Sequence, residues 1–255
     1  MTQNIFNGIQ AYFSAFTTLN KLNLWRYFAI PIGISFLLGI FILFTAYGLS
    51  DNLGSYIAST WGFNWGKETV TSISYFIGGL VVLAFGIVIF KHVLMAVVAP
   101  FMSPISEKIE LHFIGNVSKK GTGIKAQTSA LARGIRINLR NLILEILFII
   151  PFFIFSFIPL IGFIFVFFIF IVQSYYAGFG NMDYTLERYF SYGESVYFVK
   201  THKGIAIGNG IVFMLILLIP VIGILIVLPL SVVASTTETL KALHPEKFAK
   251  NQLSL

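Results

Sequence analysis

Long apolar stretches separated by short polar intervals dominate this chain. Tyr27–Leu49 and Thr69–Phe90 contain no Asp, Glu, Lys or Arg, and each exceeds the roughly 20 apolar residues that a membrane-crossing helix needs. Two longer runs follow, Ile146–Met182 and Gly204–Thr237, again without a charged residue. Each is too long for one span and carries the same interruption near its middle: Ile158-Pro159-Leu160-Ile161-Gly162 in the first, Ile219-Pro220-Val221-Ile222-Gly223 in the second. Proline breaks the helical ladder, and glycine adopts turn conformations that other residues avoid. The pattern predicts two helical hairpins folded at Pro159–Gly162 and Pro220–Gly223. Neither tip offers a polar side chain to the far side, where a water-exposed turn would carry Asn, Asp, Ser or Lys. Partial penetration is therefore expected, with backbone groups freed at the tips satisfied by protein or water.

The organisation that follows is a single polytopic membrane domain, all-α, over residues 1–255. An amphipathic N-terminal segment (1–26) has Ile5, Phe6, Ile9, Tyr12, Phe13 and Phe16 at spacings of mostly three and four, the pattern of a helix lying in the interface. Transmembrane spans at 27–49 and 69–90 come next, then a basic cytoplasmic segment (91–141), hairpin 1 (142–182), hairpin 2 (204–237) and a cytoplasmic tail (238–255). All lysines and arginines except Lys67 fall on one side of this arrangement, which the positive-inside rule makes cytoplasmic, with both termini inside. The net charge of +7 is thereby explained without nucleic acid as a partner. Only 11% of residues are charged and 57% are hydrophobic, against about 25% charged in soluble domains. Cysteine is absent, so thiolate metal sites and disulfides are excluded.

Few residues carry candidate chemistry. Lys91 and His92 follow the second span directly. The expected arrangement has Lys91 snorkelling to the interface while 93–102 lies flat beneath the membrane, the alternative being a charge at membrane depth facing a cavity. Arg133, Arg136 and Arg140 share a helix face and are expected to hold lipid headgroups, with Glu145 interfacial beside them. Ser106, Glu107 and Glu110 lie on a short polar helix after Pro100 and Pro104, where the two carboxylates share a face and read as solvated or ion-paired rather than catalytic. The four histidines lack metal-ligand spacing. No enzyme, cofactor or metal is expected.

In order and spacing, Arg26 five residues before Pro31, Ala99-Pro100-Phe101 with Glu107 and Glu110 beyond, the twin Ile-Pro-x-Ile-Gly tips, Asp183-Tyr184 and Lys200-Thr201-His202-Lys203 resemble the CysZ-type sulfate transporter family, part of the wider etoposide-induced membrane protein group. The resemblance runs from about Phe6 to Leu243. It implies two long transmembrane helices plus two partly penetrating hairpins, a homo-oligomer, and passage of a small inorganic anion, sulfate, for cysteine synthesis across a bacterial inner membrane. It also implies a sulfate site at the start of the first long helix. The matching stretch here is Asn23-Leu24-Trp25-Arg26, in which Leu24 and Arg26 keep the family pattern while Asn23 and Trp25 depart from it. Arg26 is the expected main anion contact. The second function class kept open by the wider group is a non-transporting membrane scaffold or interaction protein.

Overall fold

A computed structural model describes residues 1–59, 66–115, 123–219 and 222–252. Among these every regular element is helical: α1 Thr2–Lys21, a 3-10 turn at Trp25–Phe28, α2 Ala29–Ser59, α3 Lys67–Ile114, α4 Ile124–Phe155, α5 Gly162–Leu186, α6 Tyr192–Thr201, α7 Lys203–Leu217, α8 Ile222–Leu243 and α9 Pro245–Gln252. Five of the helical stretches are long and apolar enough to cross a membrane, Trp25–Ser59, Lys67–Ile114, Ile124–Phe155, Gly162–Leu186 and Leu225–Leu243. The chain is an all-α, multi-pass membrane protein. Apolar side chains on α2 point outward as well as inward, with Phe36, Leu37, Phe41 and Phe44 all exposed, as expected of a helix whose solvent is lipid.

Helices α2 and α3 form a long antiparallel pair: Gly54 abuts Tyr75, and Gly86 abuts Ile42. The sequence reading ended the second span at Phe90 and laid the following residues flat. Instead, α3 continues without a break to Ile114 and carries Pro100 and Pro104 inside it, as membrane helices surrounded by neighbours tolerate. The expected short polar helix after the prolines is thus the lower part of α3. Its inner face meets α4, where Gly134 sits against Ala96 and Ala99.

Hairpin 1 is α4 and α5, and hairpin 2 is α7 and α8. They pack together through α5 and α7, which run antiparallel at very short range. A Cβ at Gly178 would stand 1.8 Å from the Ala206 carbonyl oxygen, and one at Gly210 would stand 1.7 Å from that of Ser174. Small residues at four-residue spacing on both helices permit this approach, the usual device of membrane helix pairs. Between the hairpins, α6 starts at a capping box in which Ser191 and Glu194 satisfy each other's backbone N–H groups.

At tip 1 the left-handed conformation falls on Leu160 (φ 69°), not on Gly162. Gly162 is required for a different reason: a Cβ there would lie 2.0 Å from the Ser156 carbonyl oxygen. Gly223 meets the Ile216 oxygen at the same 2.0 Å, so both glycines allow the returning helix to press on the end of the outgoing one. Pro159 lies in tip 1, within the turn. Pro220 and Val221 of the second tip lie outside the described residues.

Tip 1 does not reach as far as the α2–α3 pair. Phe85 faces Phe153, with ring centroids 6.4 Å apart, and α4 ends soon afterwards at Phe155. From Phe85 to its start at Lys67, α3 extends about 27 Å further in that direction. Helix α7, at 15 residues, is about 22 Å long, short of the roughly 30 Å hydrocarbon core. At the opposite end α1 lies across the bundle. Its first residues touch Gly204 and Gly208 of α7, and its middle lines a groove with Glu238 and Lys241 of α8.

Candidate functional site

Two polar features stand out, one exposed at the start of α2 and one buried in the bundle. At the first, the chain leaves α1 through Asn23, held at φ 50°, and enters α2 through the 3-10 turn Trp25–Phe28. Leu24 is fully buried in the core. The Trp25 indole N–H donates to Asn20 Oδ1 at 2.7 Å, and its ring meets Phe16 edge-on. Both side chains are therefore committed to structure. Arg26 is exposed and donates to the Tyr27 hydroxyl at 3.2 Å. Its guanidinium carbon lies 5.1 Å from the centre of the Tyr27 ring, and Lys108 of α3 brings its ammonium to 5.0 Å from the same centre. Neither cation has a carboxylate partner among the described residues. Sequence reasoning singled out Arg26 but not Lys108, whose approach depends on the folding of α3 beside the start of α2.

The buried feature has an upper and a lower layer. In the upper layer Lys91 does not snorkel. It is fully buried and donates to Glu145 Oε1 at 2.6 Å and to the Gln173 carbonyl at 3.2 Å. Glu145 is likewise fully buried in the bundle rather than standing free beside the arginines, and its Oε2 lies 2.8 Å from His92 Nε2. The reason is that α3 continues past Phe90, so Lys91 faces α4 and α5 inside the bundle, fully enclosed by protein. A lone charge there would be costly, and the opposite charge keeps it inside. Asn138, Asn141 and Glu145 occupy one buried face of α4. Their spacing of three and four, in line with the carboxylate that opens the apolar run, was a readable signal that sequence reasoning passed over.

In the lower layer Arg133 is not a headgroup anchor. It makes a fork to Asp183, Nε to Oδ2 at 3.1 Å and Nη2 to Oδ1 at 2.8 Å, and also donates to the Phe190 carbonyl and the Ser195 hydroxyl. Glu107 and Glu110 are separated rather than paired. Glu110 is buried and receives Arg188 Nε at 2.9 Å and the Tyr189 hydroxyl, while Glu107 lines a cleft of about 480 Å³ together with Ser103, Lys125, Glu187 and Arg188. Arg188 also donates to the Ser106 hydroxyl at 2.7 Å, and Ser106 continues through Thr185 to Thr236 of α8. Ser103 bonds Glu187. Burial, and next the contact with Glu110, push the Tyr189 phenol above its ordinary value. Arg136 and Arg140 cover the rings of Tyr192 and Phe179. The layer thus ties α3, α4, α5 and α8 together with largely buried polar groups.

A third polar knot joins the hairpins. Asn181 of α5 donates to Asn209 of α7 at 2.9 Å, and Asn209 donates to the Ser231 carbonyl of α8. Tyr12 of α1 donates to the Asn209 carbonyl. Asn141 Nδ2, Asn181 Oδ1, Ser235 Oγ and Thr239 Oγ1 are buried without a hydrogen-bond partner among the described residues.

No curated protein matches the chain. The family model described as sulfate transporter CysZ/etoposide-induced protein 2.4 matches residues 11–227, a span that takes in α2 through α7, Arg26, both hairpin tips and nearly all of both polar layers. The chain belongs to this family of sulfate transporter CysZ and etoposide-induced protein 2.4 relatives.

Proposed function

We propose that this protein is a permease or channel-like conductor for a small inorganic anion, sulfate foremost, serving cysteine synthesis. It acts as a homo-oligomer in a bacterial inner membrane with both termini cytoplasmic and the hairpin tips buried part-way through the bilayer. One observation carries the reading: Arg26 stands exposed at the start of α2, with no carboxylate partner among the described residues and with Lys108 against the same tyrosine ring. Two cations, the Tyr27 hydroxyl and the positive end of the α2 dipole converge on one surface spot, which suits a tetrahedral dianion. The short α7 and the difference in reach between hairpin 1 and α2–α3 support partial penetration. The distribution of lysine and arginine supports the orientation.

Uptake of labelled sulfate into proteoliposomes, together with sulfate binding to the purified protein, tests the reading. Arg26→Lys keeps the charge but loses the planar pair of donors. It is expected to weaken sulfate binding by about tenfold, equivalent to roughly 1.4 kcal/mol, with insertion and thermal stability unchanged. Sulfate binding that is unaltered in Arg26→Lys reduces Arg26 to a membrane anchor. Absence of both binding and uptake in the unaltered protein favours the non-transporting scaffold.

A further inference from the structure

Of the three arginines on α4, the ion pairs of the bundle use one. Arg133 is held in its fork to Asp183. Arg136 and Arg140 have no carboxylate partner among the described residues. Carboxylates on and near α4 are engaged elsewhere, Glu145 by Lys91 and His92 and Glu194 of α6 by the Ser191 N–H. The two remaining cations are four residues apart, so one stands above the other on α4.

Both guanidiniums are nonetheless fixed in place. The Arg136 guanidinium carbon lies 4.1 Å from the centre of the Tyr192 ring at the start of α6, and that of Arg140 lies 5.5 Å from the centre of the Phe179 ring on α5. A ring beneath a guanidinium covers its flat side and leaves the N–H donors at its edge. One Arg140 N–H goes to Asn141 Oδ1 at 3.0 Å. The other arm of that amide, Asn141 Nδ2, is a buried donor with no acceptor among the described residues. The spot is rich in donors and positive charge, and short of acceptors.

Its position along α4 narrows the ligand. Arg140 is the last basic residue of the helix. Beyond it the exposed side chains are apolar to the end, Ile143, Leu147, Phe148 and Ile154 among them. Ile135, Leu139, Ile143 and Leu147 form an exposed row at four-residue spacing, directly beside the row of Arg136 and Arg140. A soluble anion would have no use for that row. A phospholipid uses both, with its phosphate at the cations and its chains along the apolar side chains. A second copy of the chain fits less well, since a two-fold contact here would bring four unpaired cations together.

We propose that Arg136 and Arg140 form a binding site for an anionic phospholipid. Its phosphodiester lies on the two guanidinium edges, and its acyl chains follow Leu139, Ile143 and Leu147. Because the rings under the arginines belong to α5 and α6, the lipid braces hairpin 1 against the helix that leads to hairpin 2. The proposal does not rest on the anion reading at Arg26.

The test uses the full-length protein purified in an uncharged detergent and titrated with dioleoyl phosphatidylglycerol or dioleoyl phosphatidylcholine. Native mass spectra count the lipids retained. Phosphatidylglycerol is expected to be retained at lower concentration than phosphatidylcholine and to raise Tm. Arg136→Gln with Arg140→Gln is expected to weaken its retention about thirtyfold, from roughly fivefold for each cation near a lipid phosphate. Lys200→Gln with Lys203→Gln removes the same charge from an exposed stretch and is expected to leave retention nearly unchanged. Where the first pair fails to fold, Arg136→Lys with Arg140→Lys replaces it. That pair keeps the charge, loses the stacked planar donors, and is expected to retain less phosphatidylglycerol than the unaltered protein. Equal retention of the two lipids, undiminished retention in the arginine variants, or an equal loss in the lysine variant overturns the site. Displacement of phosphatidylglycerol by inorganic phosphate at equal concentration overturns the lipid in favour of a soluble anion.

Discussion

Lys91 and Glu145 illustrate how a residue is read correctly in composition and wrongly in place. Both were recognised as charges at the margins of apolar runs, and both were expected at the interface because a single charge in lipid is expensive. Pairing removes most of that cost: the two lie 54 positions apart in sequence, and no local pattern reveals their contact. The energetics give a direct check. Glu145→Leu strands a buried ammonium and is expected to cost about 3–5 kcal/mol, whereas adding Lys91→Met should recover most of the loss. Thermal unfolding of the two variants in detergent would show it, and equal destabilisation by single and double variants would refute the pairing. The candidate anion site divides in the same way. Arg26 was legible because an arginine at a helix start has a local rationale. Lys108 was not, since it is an ordinary surface lysine until α3 folds against Tyr27.

Elements were more legible than contacts. Length and the absence of charge located the two long helices, and the repeated proline–glycine interruption located both hairpins, since each signal is contained in a short window of sequence. What escaped was the continuation of α3 through Pro100 and Pro104, because proline propensity is a local rule and neighbouring helices override it. Glycines held more information than the turns alone drew on. Gly178 and Gly210 fix the spacing of α5 and α7, and Gly178→Ala is expected to lower stability by about 1–3 kcal/mol through forced separation of the two backbones, read as a drop in Tm. The depth of the tips is open to chemistry, as the chain has no native cysteine. A cysteine at Leu160, 92% exposed from protein, should resist a membrane-impermeant thiol reagent from outside, while one at exposed Glu68 should react. Rapid external labelling of Leu160→Cys would mean that hairpin 1 crosses completely.

At the scale of the whole molecule, α1 acts as a crosspiece rather than a free interfacial helix. Its buried face of Gly8, Ala11, Tyr12, Ala15 and Leu19 grips α7 and α8, leaving Phe6, Phe13 and Phe16 exposed, so the apolar periodicity seen in sequence served two surfaces at once. Enlarging Gly208, whose Cβ would lie 2.2 Å from the Ile5 carbonyl oxygen, should detach it. Gly208→Leu is expected to speed limited proteolysis within residues 2–21 while the remainder stays protected. The unequal reach of the helices has a different consequence. Among the described residues α2 and α3 run on as a pair beyond tip 1, and two helices in contact have no lumen between them. Water and a dianion, with nothing to replace their hydration, cannot follow such a pair through hydrocarbon. If the tips end within the bilayer, the outer stretch of any conducting route needs walls from further copies of the chain, so a mixed assembly with one impaired copy should conduct less than its share of intact copies predicts.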